Sequence, residues 1–146
     1  MPPRPPLDDS HRHRRARRRL LLWLSYWILI FVATHVPTVP GLAAPRFTDK
    51  VVHFGLYAVL TILGSRWYSA SVRKPSLRGL IGWATIYVAY AAFDEWLQGY
   101  TLRSPSLADF LADAAGITIA TLWLVLEHRR RPKIRPSPTD PVTPEL

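Results

Sequence analysis

Apolar residues gather along this chain in four runs: Leu20 to Val36, Val51 to about Ser65, Gly79 to about Leu97, and Leu107 to Leu126. Polar residues, prolines and glycines gather between them. A helix crossing a bilayer needs ~17 to 25 mostly apolar residues. The second run is the shortest, and it needs Trp67 and Tyr68 as interfacial partners at its end. Pro37, Pro40, Gly41 and Pro45 break the chain after the first run, and Thr48 or Asp49 can cap the start of the second. The third run carries no charge until Asp94. Ser106 followed by Asp109 forms a capping-box-like opening for the fourth, where Gly116 and Ala120 offer a small-xxx-small stripe for close helix approach. The pattern predicts an all-α fold, a four-helix transmembrane bundle occupying residues 20–126.

The flanks differ in character. Residues 1–19 are proline-rich and then basic, without apolar periodicity, and are expected to be a disordered cytoplasmic arm. Residues 127–146 are expected to be a disordered, basic, proline-rich cytoplasmic tail. A basic start before an apolar run also describes a signal peptide, with Ala43-Ala44 as its cleavage site, but the run is long for that and further runs follow.

Charge decides the orientation. The chain has 19 Lys and Arg against 10 Asp and Glu, a formal net charge of +9. With the N-terminus inside, only Arg46, Lys50 and Arg103 lie outside, and every other Lys and Arg lies inside. That agrees with the positive-inside bias and explains the excess charge without a nucleic-acid partner. Both termini are then cytoplasmic, and the expected location is a bacterial inner (cytoplasmic) membrane, crossed several times. There are no cysteines, which excludes disulfide frames and thiolate chemistry.

This topology collects Asp49, Lys50, His53, Asp94, Glu95, Gln98, Arg103 and Asp109 at the outer interface, with Asp113 one turn deeper. An unpaired ionised group at mid-membrane costs ~2.5 to 3.5 kcal/mol or more, so these groups must be paired, protonated or wet. Simpler roles compete. Asp49 and Asp109 can cap helices, Lys50 can snorkel, and the stripe Tyr87, Tyr90, Ala91, Asp94, Gln98 can be interhelical packing. Caps do not require His53, Glu95 or Asp113. Asp94 and Glu95 project about 100° apart on a helix, so one can enter the bundle while the other faces the loop.

Three blocks resemble the VanZ-like family. They are Asp49-Lys50-x-x-His53-Phe54-x-x-Tyr57, then Asp94-Glu95-x-x-Gln98 followed by Arg103-Ser104, and then Asp109 six residues short of the position before Gly116. The resemblance covers roughly Thr34 to Leu126. It implies a small polytopic bacterial membrane protein. The family's founding member is associated with low-level resistance to the glycopeptide teicoplanin. Asp113 stands where the family pattern commonly has asparagine, so no coupling role is carried over there.

The expected function is binding or modifying a lipid-linked or anionic cell-envelope molecule, an envelope precursor or a glycopeptide, at the outer membrane face. Lys50 and Arg103 would hold its phosphate or carboxylate, assisted by Asp49, Gln98, Ser104, Asp109 and Asp113. Glu95, His53 and Asp94 are the candidate acid–base groups. An oxygen-rich metal site from Asp49, His53, Asp94, Glu95 and Asp109 lacks any tight ligand motif, and neither metal nor cofactor is expected. Two alternatives stand beside this. One is a non-enzymatic binding or scaffold protein whose polar cluster is structural. The other is a subunit of a small proton-coupled transporter using Asp113 and His53. The sequence does not specify an oligomeric state.

Overall fold

The computed structural model describes residues 9–35, 46–72, 76–100 and 105–130. Four helices account for nearly all of them: α1 (Asp9–His35), α2 (Arg46–Ser71), α3 (Leu77–Gln98) and α4 (Leu107–Arg130). No strand occurs among the described residues, and the all-α expectation holds.

The helices outrun the apolar segments that announce them. The basic stretch from Asp9 to Arg19, expected to be disordered, is the first half of α1. Arginine is a good helix former, and here its side chains also dock on α2. Arg12 donates from Nε to the Ala70 carbonyl at 3.4 Å, and Arg19 donates to the Arg66 carbonyl at 3.0 Å. These carbonyls belong to the last turns of α2, where the helix dipole favours cations. At its other end, α2 begins at Arg46, so Asp49 sits in the first turn instead of capping it. Arg66 and Arg78, expected in a loop, lie within α2 and α3. Ser76 caps α3 by accepting the Gly79 N–H at 3.1 Å.

Successive helices run in opposite directions, and α2 touches all three others, α4 most extensively. Gly116 is why α4 can lie so close. A Cβ placed there would meet the Phe54 backbone oxygen at 2.2 Å. The small-residue stripe therefore seats α4 on the backbone of α2, as expected. The core is Trp23, Ile30, Tyr57, Leu60, Tyr87, Ala91 and Ile117. Trp67 is half-buried and stacks on Trp23 with centroids 4.9 Å apart and planes within 6°.

Beside this apolar core, ionisable groups are buried and many large apolar side chains are not. His53, Asp94, Glu95, Gln98, Asp109 and Asp113 are buried, while Ile28, Val51, Ile81, Phe93, Leu111 and Leu122, among many others, are exposed. Among the described residues one helix, α4, is by itself long and apolar enough to cross a membrane. The expectation of four spans is met on that measure by α4 alone. The physical reason is composition: α1 is basic through its first half, α2 carries Asp49, Lys50 and Arg66, and α3 ends in Asp94, Glu95 and Gln98.

Candidate functional site

The polar layer closes the end of the bundle where α1 and α3 finish and α2 and α4 begin. Its deepest element is a histidine–carboxylate pair. His53 from α2 and Asp113 from α4 are 3% and 1% exposed, with Nδ1 and Oδ1 3.1 Å apart. The Gly116 contact sets this distance, because it brings α4 against the turn of α2 that carries His53 and Phe54. With Nδ1 engaged by a carboxylate, the ring is oriented and Nε2 is the nitrogen left to exchange a proton or meet a ligand.

One turn toward the surface, the Lys50 ammonium bonds Asp109. Asp49 is half-buried beside them. Asp49, His53 and Asp109 bring ligand-type atoms within 4.8 Å of one another, a set able to hold a cation. Lys50 already supplies positive charge to Asp109 in that group.

The α3 side is a hydrogen-bonded chain. Gln98 donates to Asp94 at 3.3 Å and to Glu95 at 3.5 Å, and the Tyr90 hydroxyl donates to Asp94 at 3.5 Å. His35, at the end of α1, has Nδ1 3.8 Å from Asp94. The other Glu95 oxygen accepts the Ser106 backbone N–H. This revises the capping box. The carboxylate that reaches back to the start of α4 comes from Glu95 on α3, and Asp109 turns to Lys50 instead. Both Asp94 and Glu95 are buried, and Glu95 also reaches the connection to α4 through Ser106. Glu95, Asp109, His53, Asp94 and Asp113 lie near enough for their charges to interact.

The structure thus brings together eight predicted site residues: Asp49, Lys50, His53, Asp94, Glu95, Gln98, Asp109 and Asp113. Arg103 and Ser104 lie outside the described residues. The layer also contains residues not expected in it. Tyr57 is fully buried with its hydroxyl directed at Asp94, and His35 Nε2 has no hydrogen-bond partner among the described residues. Buried polar atoms are normally satisfied, so His35 Nε2 is a point at which a bound polar group could be held. Tyr57 and Tyr90 stand four residues from His53 and Asp94, a spacing visible in the sequence. Nothing in the sequence pairs His35 with Asp94.

Electrostatically the layer is acid-rich. Among the described residues, five carboxylates face one lysine and two imidazoles. Such a site accepts hydrogen bonds from hydroxyls or amines more readily than it binds an anion.

An uncharacterized protein of Schizosaccharomyces pombe is 26% identical to the chain over 123 residues, which cover 84% of this chain and 72% of the yeast protein. No protein-family model matches the chain. No solved structure matches it.

Proposed function

We propose that the chain is a VanZ-like integral membrane protein of four spans whose polar layer binds, or acts on, the head group of a lipid-linked molecule at the outer face. The observation that carries this reading is the combination of buried ionisable groups with an apolar exterior. The His53–Asp113 pair and its carboxylate neighbours are inside, while apolar side chains of all four helices are outside. In water, so many exposed Leu, Ile, Val and Phe residues would be an aggregation surface. In lipid, apolar residues outside and paired polar residues inside are both favourable. The charge asymmetry sets the orientation: the arginine-rich end of α1 faces the cytoplasm and the acidic layer faces out.

Within the layer, His53 is the acid–base group and Asp113 its orienting partner. Asp94, Asp49 and Asp109 accept hydrogen bonds from a sugar or amine head group, and Lys50, bonded to Asp109, holds that carboxylate in place. Glu95 holds the start of α4 and serves the layer by positioning it.

The test uses the full chain in lipid nanodiscs. Binding of a polyprenyl-phosphate-linked sugar, and separately of teicoplanin, is measured beside the thermal midpoint for wild type, His53→Gln and Asp113→Asn. Loss of binding with the fold retained supports the proposal. Undiminished binding in both variants removes His53 and Asp113 from the site. Melting in each single variant, with the double variant no worse, makes the pair a structural one.

A further inference from the structure

At the opposite end of the bundle a cavity of about 470 Å³ is lined by residues of all four helices, mostly α1, α2 and α4. Its wall carries Arg12, Arg15, Arg19, Arg66, His11 and His128. Glu127 is the one carboxylate among the described lining residues. Leu80 and Leu124, both buried, contribute apolar surface. The cavity lies about 20 Å from the acidic layer, the rise of α2 between His53 and Arg66.

The helix period builds this wall. Arg12, Arg15 and Arg19 fall at i, i+3 and i+7, which puts them on one face of α1. Two of them are anchored. Arg12 donates to the Ala70 and Ser71 carbonyls, each at 3.4 Å, and Arg19 donates to the Arg66 carbonyl at 3.0 Å. A guanidinium carries five donors, so these bonds fix the side chains while leaving most donors for another partner. The crowding has a cost. Burial, and then the charges of Arg15 and Arg66, hold the Arg19 pKa below its usual value. An anion in the cavity would relieve that repulsion and meet several preset donors at once.

We infer that this cavity is a binding site for a phosphate-bearing anion, either a free phosphate compound or the head group of an anionic lipid. Its volume is that of a small-molecule pocket and far below what a nucleic-acid groove requires. A positive-inside charge bias would need only the number of arginines. It would not need them on one face, anchored to a neighbouring helix, around a cavity.

The test therefore compares arginines at equal charge. Arg15→Gln with Arg66→Gln removes two cavity arginines and leaves Arg12 and Arg19, which join α1 to α2, unchanged. Arg14→Gln with Arg18→Gln removes two arginines of α1 that are exposed like Arg15 and Arg66 but do not line the cavity. The full chain is titrated with inorganic pyrophosphate in neutral detergent. It is also placed in phosphatidylcholine nanodiscs with graded phosphatidylglycerol, at about 0.15 M salt, where long-range surface charge is screened. The thermal midpoint is the readout. A rise with pyrophosphate identifies the free anion as ligand, and a rise with phosphatidylglycerol alone identifies the lipid head group. In either case the cavity pair should weaken apparent affinity by roughly tenfold and the pair outside the cavity by less than about twofold. No rise with either probe, or equal weakening by the two pairs, overturns the inference.

Discussion

Replacing Gly116 by alanine tests the contact on which the polar layer depends. The new Cβ would stand 2.2 Å from the Phe54 carbonyl oxygen, 3.1 Å from its carbon and 3.3 Å from the Ala58 nitrogen. All three atoms are backbone, so no side chain can swing away. Real Cβ contacts essentially never fall under 3.0 Å, so α2 and α4 must part by about 0.8 Å, the step from 2.2 to 3.0 Å. Asp113 precedes Gly116 by one turn and His53 adjoins Phe54, so the same displacement stretches their 3.1 Å bond past hydrogen-bonding range. Overpacking of this kind costs ~1 to 3 kcal/mol. The gain in helix propensity on replacing glycine by alanine returns ~1 kcal/mol at most. Losing the buried His53–Asp113 hydrogen bond adds about 1 kcal/mol. The expected net is a destabilisation of about 1 to 3 kcal/mol. The assay is thermal unfolding of the full chain in detergent, with Gly55→Ala on α2 as the internal control. Gly55 has nothing within 4 Å of its would-be Cβ, so that variant should melt at or slightly above wild type. A Gly116→Ala protein as stable as Gly55→Ala would refute the close approach of α2 and α4, and with it the geometry given for His53 and Asp113.

Further outcomes follow from the same contacts. In a double-mutant cycle of His53→Gln and Asp113→Asn, chemical unfolding should show a coupling of ~1 to 3 kcal/mol, whereas additive losses would mean the two do not touch. Lys50→Met should cost under ~1 kcal/mol, because its side chain is 37% exposed and an exposed pair is screened; a larger loss in a thermal melt would make the Asp109 contact more than a surface ion pair. Trp67→Leu should lose ~0.5 to 1.5 kcal/mol beyond its burial through the stack on Trp23, measured by the unfolding midpoint beside an exposed Trp123→Leu control. Because the chain has no cysteine, Ser76→Cys and Tyr100→Cys each introduce a unique label site. In intact cells an impermeant maleimide should reach position 100 and not 76, and the reverse result would invert the proposed orientation.

Helix number and approximate position were legible from the alternation of apolar runs with proline- and glycine-rich breaks, because a helix is set by residues within a few positions of one another. The seat for α4 was legible as well, since Gly116 and Ala120 differ by one helical turn. Helix ends were less so. The stretch from Asp9 to Arg19 shows no apolar face, and its helix is anchored by carbonyls of α2 nearly fifty residues away. The membership of the polar layer followed from the order and direction of the helices. Its pairings did not. His53 meets Asp113 across a separation of 60 residues and Lys50 meets Asp109 across 59, and the sequence expresses no preference between those partners and Asp94 or Glu95. Helix rotation and axial offset make that choice, and the backbone contact at Gly116 sets both. By itself, then, the sequence determined four helices, the gathering of acids at one end and of arginines at the other. Only the tertiary structure decided that Glu95 caps α4, that His35 and Tyr57 join the acidic layer, and that three arginines of α1 share one cavity with Arg66. These depend on distances between helices, which local periodicity does not encode.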